Sequence, residues 1–316
     1  MALFQPVMTL RGHTSTVYAL AFGRWFGRRV LASGSYDSTV KLWDLDAGRE
    51  ASTLSGHAAS VSALSFAPHH GVLATASNDH RVRLWRVWFR HWFRPRTEQH
   101  DGAVYTVAFT PDERWLISGG TDNAIRVMDL ENPHGVPIWL RAHSGHIYQV
   151  AVSPGARWLA SASMDNTIGI WDLRRVLTRE TTAPVIRLRH HRDGVTSIAF
   201  SPDGTTLASG SYDNTVKLWD LRFLPDDLTT LRYPAPVTLD FHKDCVQSVA
   251  FSPDGTQLAS ASSDRTVRVY RVAQPRPYPI ATLARHLDKV HSVAFSDDGV
   301  LVASGSKDNT VIVWAH

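Results

Sequence analysis

Cysteine is nearly missing: Cys245 stands alone in 316 residues, so no internal disulfide can form. Lysine is scarce too, with five residues (Lys41, Lys217, Lys243, Lys289 and Lys307) among 33 basic ones, which leaves arginine as the dominant cation. No apolar run approaches the roughly 20 residues a membrane helix needs, so no span is expected. The start, MALFQPVMTLRGH, lacks the charged and long apolar regions of a signal peptide. A cytoplasmic location is expected, or a nuclear one if the source is eukaryotic. No Gly-x-x-x-x-Gly-Lys loop occurs, so nucleotide binding has no support and no cofactor is expected. No helical period is visible. A composition of 43% hydrophobic and 20% charged residues, with a formal net charge of +4, excludes disorder and collagen-like structure.

What is present is a repeat. Histidines that precede an apolar alternating run fall at His13, His57, His100, His143, His191, His242 and His286, at steps of 44, 43, 43, 48, 51 and 44. Aspartates follow at Asp37, Asp79, Asp122, Asp165, Asp213, Asp264 and Asp308, 22 residues after each histidine except the first, where the gap is 24. Six residues further lie Trp43, Trp85, Met128, Trp171, Trp219, Tyr270 and Trp314. Units of this length, repeated in tandem, bury a continuous core only by stacking.

Within a unit the period is two. Val195–Phe200, Leu207–Ser211 and Thr215–Trp219 alternate, and turn residues stand between them, which reads as antiparallel strands. Pro202 suits the second position of a tight turn, Gly204 supplies a positive φ, and Asp213-Asn214 closes the next turn. A fourth strand ends before each following histidine, as in Pro236-Val-Thr-Leu239. The fold class is therefore all-β, a seven-bladed propeller with four antiparallel strands per blade in one domain. Blades are expected at approximately 11–54, 55–97, 98–140, 141–188, 189–239, 240–283 and 284–316, the last completed by residues 4–10. Val7-Met-Thr-Leu10 before Gly12-His13 matches Ser52-Thr-Leu54 before Gly56-His57, so the N-terminal strand closes the last blade and covers an exposed edge.

Gly-His, Ser-Pro-Asp-Gly, Leu-Ala-Ser-Gly-Ser and Lys-Leu-Trp-Asp, in this order, are similar to the WD-repeat β-propeller family over residues 7–314. The resemblance implies a buried network of histidine, Ser or Thr, aspartate and tryptophan. Its hydroxyls would be Ser33, Thr75, Ser118, Ser161, Ser209, Ser260 and Ser304, each four residues before its aspartate. The aspartate would accept from the histidine, the other ring nitrogen would meet the hydroxyl, and the hydroxyl would accept from the indole N–H. Met128 removes the indole donor from blade 3.

Seven equivalent Ser, His and Asp sets describe a scaffold, because hydrolysis needs one polarised site with an oxyanion hole. Cys245 shows no thiolate-stabilising setting. The histidine pairs His69-His70 and His190-His191 and the group His143 and His146 lack the ligand spacing of a metal site. Neither a catalytic nor a metal residue is assigned.

Individual function should reside in what varies. Propeller geometry places the first-to-second and third-to-fourth strand connections on one face. That face collects Arg24, Arg28 and Arg29, then Arg86 to Arg96 with Trp88, Arg90, Trp92 and Arg94, then Arg174, Arg175 and Arg179. Trp and Arg are favoured in binding hot spots. Acidic Glu98, Glu131, Asp226 and Asp227 dilute the field for nucleic acid. The opposite, narrow face carries Tyr36, Met164, Tyr212 and Lys307 before the turn aspartates, and Tyr18, Tyr105 and Tyr148 at the inner-strand starts. Tyrosine offers large amphipathic contact area at low entropic cost, and in the family this face commonly docks peptides and domains, so a protein partner is expected there. The expected role is a non-enzymatic interaction scaffold, a monomeric propeller within a complex. The alternatives are a nucleic-acid-associated subunit and, behind it, an enzyme such as a lactonase built on the propeller.

Overall fold

A computed structural model describes residues 4–25, 27–67, 69–87, 96–132, 134–224, 234–272 and 276–315. They form seven four-stranded antiparallel sheets, six of them running in chain order from an inner to an outer strand. In the last sheet Gln5–Arg11 is the outer strand, paired with Thr310–Ala315 in a register that sets Thr9 opposite Ile312. The start of the described chain thus closes the seventh blade.

The core lies between blades. Each of seven apolar clusters joins two neighbours; for example, Ile168 and Ile170 of blade 4 meet Val195, Ile198 and Trp219 of blade 5. Blades 7 and 1 meet through Val311, Val313, Val17 and Trp43. Because both faces of a blade are covered, the second strand loses any polar side: Leu207 to Ser211 are all buried. Buried hydroxyls there need partners.

The repeat histidines supply them. His13 Nδ1 lies 2.8 Å from Asp37 Oδ2 and Nε2 lies 2.7 Å from Ser33 Oγ, which also accepts from the Trp43 indole at 2.8 Å. His57, Asp79, Thr75 and Trp85 repeat this, as do His191, Asp213, Ser209 and Trp219, and His286, Asp308, Ser304 and Trp314. In blade 6, His242 spans Asp264 and Ser260, and the Tyr270 hydroxyl stands 3.4 Å from Ser260 Oγ in place of an indole.

Blade 4 departs from the expected network. His143 meets Asp165 at 2.8 Å and Ser161 at 2.7 Å, but the Trp171 indole donates to the Thr182 carbonyl at 3.2 Å instead of to Ser161. The cause is Gly169, two residues earlier. A Cβ there would collide with the Trp171 ring, so the missing side chain gives the indole room to turn. The same blade holds a five-residue helix, Leu173–Leu177, that no period announced. Asp172 caps it by accepting from the amides of Arg174 and Arg175, and Leu173 and Val176 are buried. A shorter 3-10 turn, Leu221–Phe223, follows Asp220 in blade 5.

Blade 3 departs further. His100 keeps Ser118 at 3.0 Å, but Asp122 makes no bond to it, and Asp122 Oδ2 is buried without a partner among the described residues. A second serine, unremarked in the sequence, explains why. Ser35, Ser77, Ser163, Ser211, Ser262 and Ser306 each donate to the carbonyl two residues after the repeat histidine and accept from the turn aspartate's amide. Blade 3 has Gly120 there, and the Ala103 carbonyl fills the space a Cβ would take. In five blades a threonine also donates to the aspartate, as Thr39 does to Asp37 at 2.6 Å; blade 3 has Ala124.

Side chains also stitch the inner strands together. The amides of Val150, Ile198, Val249 and Val293 donate to Thr106, Gln149, Ser197 and Ser248 of the preceding blade at 2.9, 2.9, 3.0 and 3.3 Å. Blades 1 and 2 have Ala19 and Ala63 at this position, and Ser292 of blade 7 makes no such bond to blade 1 among the described residues, so three of the seven seams lack the stitch. Across the seam between blades 2 and 3 another device acts. Glu113, held at φ 56° where blades 5 to 7 have glycine, accepts from the amides of His69 and His70 and from His70 Nδ1 at 2.9, 3.0 and 2.7 Å. An L residue in that region carries backbone strain, offset here by three hydrogen bonds to a buried carboxylate.

Two predictions follow from these contacts. Ala63→Ser should give the Val107 amide a partner and raise the unfolding free energy by about 1 kcal/mol in urea titration; an unchanged or lower value contradicts the stitch. The second concerns acid. Burial lowers the proton affinity of His13, His57 and His191, and burial with the Arg126 charge brings His100 down to about 4. An unfolded histidine titrates near pH 6.5, so between the two values the unfolded chain binds more protons. Stability is full above about pH 6.5 and falls as pH drops towards 4, with His100 contributing on the order of 3 kcal/mol. For Asp165, Asp213, Asp264 and Asp308 burial alone would raise the carboxyl, but bonds from histidine, threonine and backbone outweigh it and hold them well below the usual range. Their share is lost only as pH falls below about 4. Melting temperature should therefore decline in two stages; a flat profile between pH 7 and 4.5 contradicts the assignment.

Candidate binding face

The residue after the first position of each inner strand points to one end of the central channel. This column reads Tyr18, Ser62, Tyr105, Tyr148, Thr196, Gln247 and His291, and these side chains line a mouth of about 400 Å³ together with Asn78, Tyr212, Ser263 and Lys289. Below it the channel continues as a cavity of about 460 Å³ between the stitched inner strands.

Tyr105 and Tyr148 stack with centroids 5.7 Å apart, and Tyr212 meets Tyr148 edge-on at 5.8 Å. Tyr18 contacts His291 at 5.1 Å and Tyr36 at 6.3 Å. Tyr36 is 60% exposed, and Met164, 48% exposed, accepts from the Tyr148 hydroxyl at 3.0 Å. The structure thus brings together Tyr18, Tyr36, Tyr105, Tyr148, Met164 and Tyr212. It leaves Lys307 aside, paired with Asp288 at 3.6 Å.

Burial raises the phenols of Tyr18, Tyr105 and Tyr212, so they stay protonated donors at neutral pH. His291 is brought down to about 4 by burial and by Lys289, and is neutral. Lys289 was not among the residues expected at this face. It stands three residues after its repeat histidine, where the other units have Thr16, Ser60, Ala103, His146, Gly194 and Cys245, so alignment of that column shows one cation.

The opposite face holds the arginine-rich connections. Trp88, Arg90, Trp92 and Arg94 lie outside the described residues. The described arginines are largely engaged: Arg24 with Asp297 at 3.9 Å, Arg28 with Asp44 at 2.9 Å, Arg29 with Asp46 at 3.0 Å and Arg175 with Glu180 at 3.5 Å.

As for chemistry, Ser33, Thr75, Ser161, Ser209 and Ser304 have no exposed surface, so no substrate reaches the hydroxyls beside the histidines. Burial and Asp244 push the Cys245 thiol up, away from the thiolate that reacts. Among the described residues no three His, Cys, Asp or Glu side chains converge as metal ligands, and no helix is long and apolar enough to cross a membrane.

Stretches of the chain resemble parts of larger proteins. Over 83 residues it is 42% identical to Coronin-7 of Rattus norvegicus, 26% of this chain and 9% of that protein. Over 92 residues it is 41% identical to Mitochondrial division protein 1 of Pyricularia oryzae, 28% of this chain and 13% of that one. Over 88 residues it is 43% identical to Nuclear distribution protein PAC1 of Fusarium vanettenii, 25% of this chain and 20% of that one. The chain therefore matches only a small part of each relative. The pattern of the WD domain, G-beta repeat, by contrast, recurs at residues 4–44, 48–86, 93–129, 136–172, 182–220, 236–271 and 277–315. With seven such repeats closed into seven blades, this chain belongs to the WD domain, G-beta repeat family.

Proposed function

We propose that this chain is a non-enzymatic scaffold that holds a segment of a partner protein over the mouth of its narrow face, as one propeller within a larger complex. The observation that carries the reading is the continuous run of Tyr105, Tyr148 and Tyr212 beside Met164, an aromatic surface at the rim of an open mouth. Aromatic and Met side chains are enriched where proteins meet. The relatives support a module: a coronin, a mitochondrial division protein and a nuclear distribution protein bear unlike names yet share this repeat. The ion pairing of the described arginines on the other face speaks for a protein partner over nucleic acid, which needs such groups free for phosphate.

Replacing Tyr36, Tyr105 and Tyr148 together by alanine should abolish recovery of partners in affinity purification from the native cells while leaving the melting temperature within a few degrees. Partners retained at the original yield would overturn the narrow-face reading.

A further inference from the structure

The mouth has an unbalanced charge. Among the described residues that line it, Lys289 is the one cation and none is a carboxylate. Lys289 is exposed, and among the described residues no carboxylate lies within ion-pair distance of its ammonium, whereas Lys307 on the same blade is paired with Asp288. The remaining polar groups are phenol hydroxyls, the Gln247 and Asn78 amides, the neutral His291 imidazole and small hydroxyls, with Gln247 Nε2 already donating to Ser263 at 3.0 Å and Asn78 Oδ1 accepting from Ser62 at 3.0 Å. This set offers donors and a single positive charge. A cationic guest would meet Lys289 with nothing to neutralise it, and a dianion would leave one charge uncompensated. A single carboxylate is matched in charge and in hydrogen bonding.

Resting on the narrow-face reading above, we propose that the mouth takes an extended peptide segment of the partner that inserts one aspartate or glutamate side chain, received by the Lys289 ammonium and the surrounding phenol hydroxyls. The stacked Tyr105 and Tyr148 rings then bear on the residues beside the acid. Phenols titrate near pH 10, so at neutral pH they are protonated and can donate to a carboxylate.

The test is selection of a random twelve-residue phage-displayed peptide library on the intact chain, on Lys289→Glu, on Lys307→Glu as control, and on the Tyr105→Ala and Tyr148→Ala double variant. Melting curves establish that each is folded. The expected result is peptides sharing one Asp or Glu at a fixed position, unchanged with Lys307→Glu and replaced by Lys or Arg at that position with Lys289→Glu. A synthetic peptide from the first selection should bind Lys289→Glu about tenfold more weakly in fluorescence anisotropy. Peptides that need the two tyrosines but carry no shared acid, or that bind Lys289→Glu equally well, overturn the carboxylate proposal and leave the narrow-face reading standing. No enrichment, or peptides indifferent to the tyrosine variant, overturns both.

Discussion

A strand covered on both faces is the constraint from which the rest follows. Stacking blades around an axis buries the second strand from two sides, so its hydroxyls lose contact with water. The repeat histidine resolves this by bonding a serine with one ring nitrogen and an aspartate with the other. One imidazole thus satisfies a strand and fixes a turn together. The same aspartate accepts the amide after the histidine, as with Thr14 at 3.0 Å, so the loop that enters the blade is tied to the turn inside it. The narrow face, built from those loops and turns, is thereby bonded to the blades beneath it.

Blade 3 shows what happens when the constraint is met only in part. Met128, Gly120 and Ala124 remove the indole, the serine and the threonine together, and the aspartate makes no bond to its histidine. Among the described residues the cluster between blades 2 and 3 contains no fully buried aromatic side chain, and the stitch through position 63 is missing. Glu113 and the Arg114 pair with Asp129 work at this end of the blade, on the opposite face. Blade 3 is therefore fastened more firmly at the wide face than at the narrow one. Its narrow-face contribution, Tyr105, is positioned instead by stacking on Tyr148 of the next blade.

Much of this was legible because the network is a matter of spacing. A histidine and an aspartate that must meet across a hairpin keep a spacing set by its strand lengths, 22 residues in six units and 24 in the first, whose hairpin Val17–Trp25 and Arg28–Ser35 is longer. The tyrosines of the mouth were legible for the same reason, since a column of the repeat points to one end of the channel. What escaped depends on side-chain volume at a second position. Trp171 has the right spacing, yet its indole follows the space left by Gly169. The helix Leu173–Leu177 is too short for a period to reveal it and rests on one cap and two buried residues. The role of Lys289 was not legible because in the sequence it adjoins Asp288, of opposite charge, whereas in the fold that aspartate turns to Lys307 and to its own following amide.

That last point bears on how a repeat protein acquires an individual role. Positions that serve the ring are uniform because each must meet the same requirement seven times, and a change at one of them, as in blade 3, has to be offset nearby. Positions that point into the channel mouth meet no such requirement and are free to differ. Tyr18, Ser62, Tyr105, Tyr148, Thr196, Gln247 and His291 differ in a single column while the strand behind them stays the same. A pseudo-symmetric scaffold thereby presents an asymmetric surface, aromatic towards blades 3 to 5 and cationic at blade 7. Recognition needs that asymmetry, because an extended peptide has a direction and a symmetric ring has none to offer.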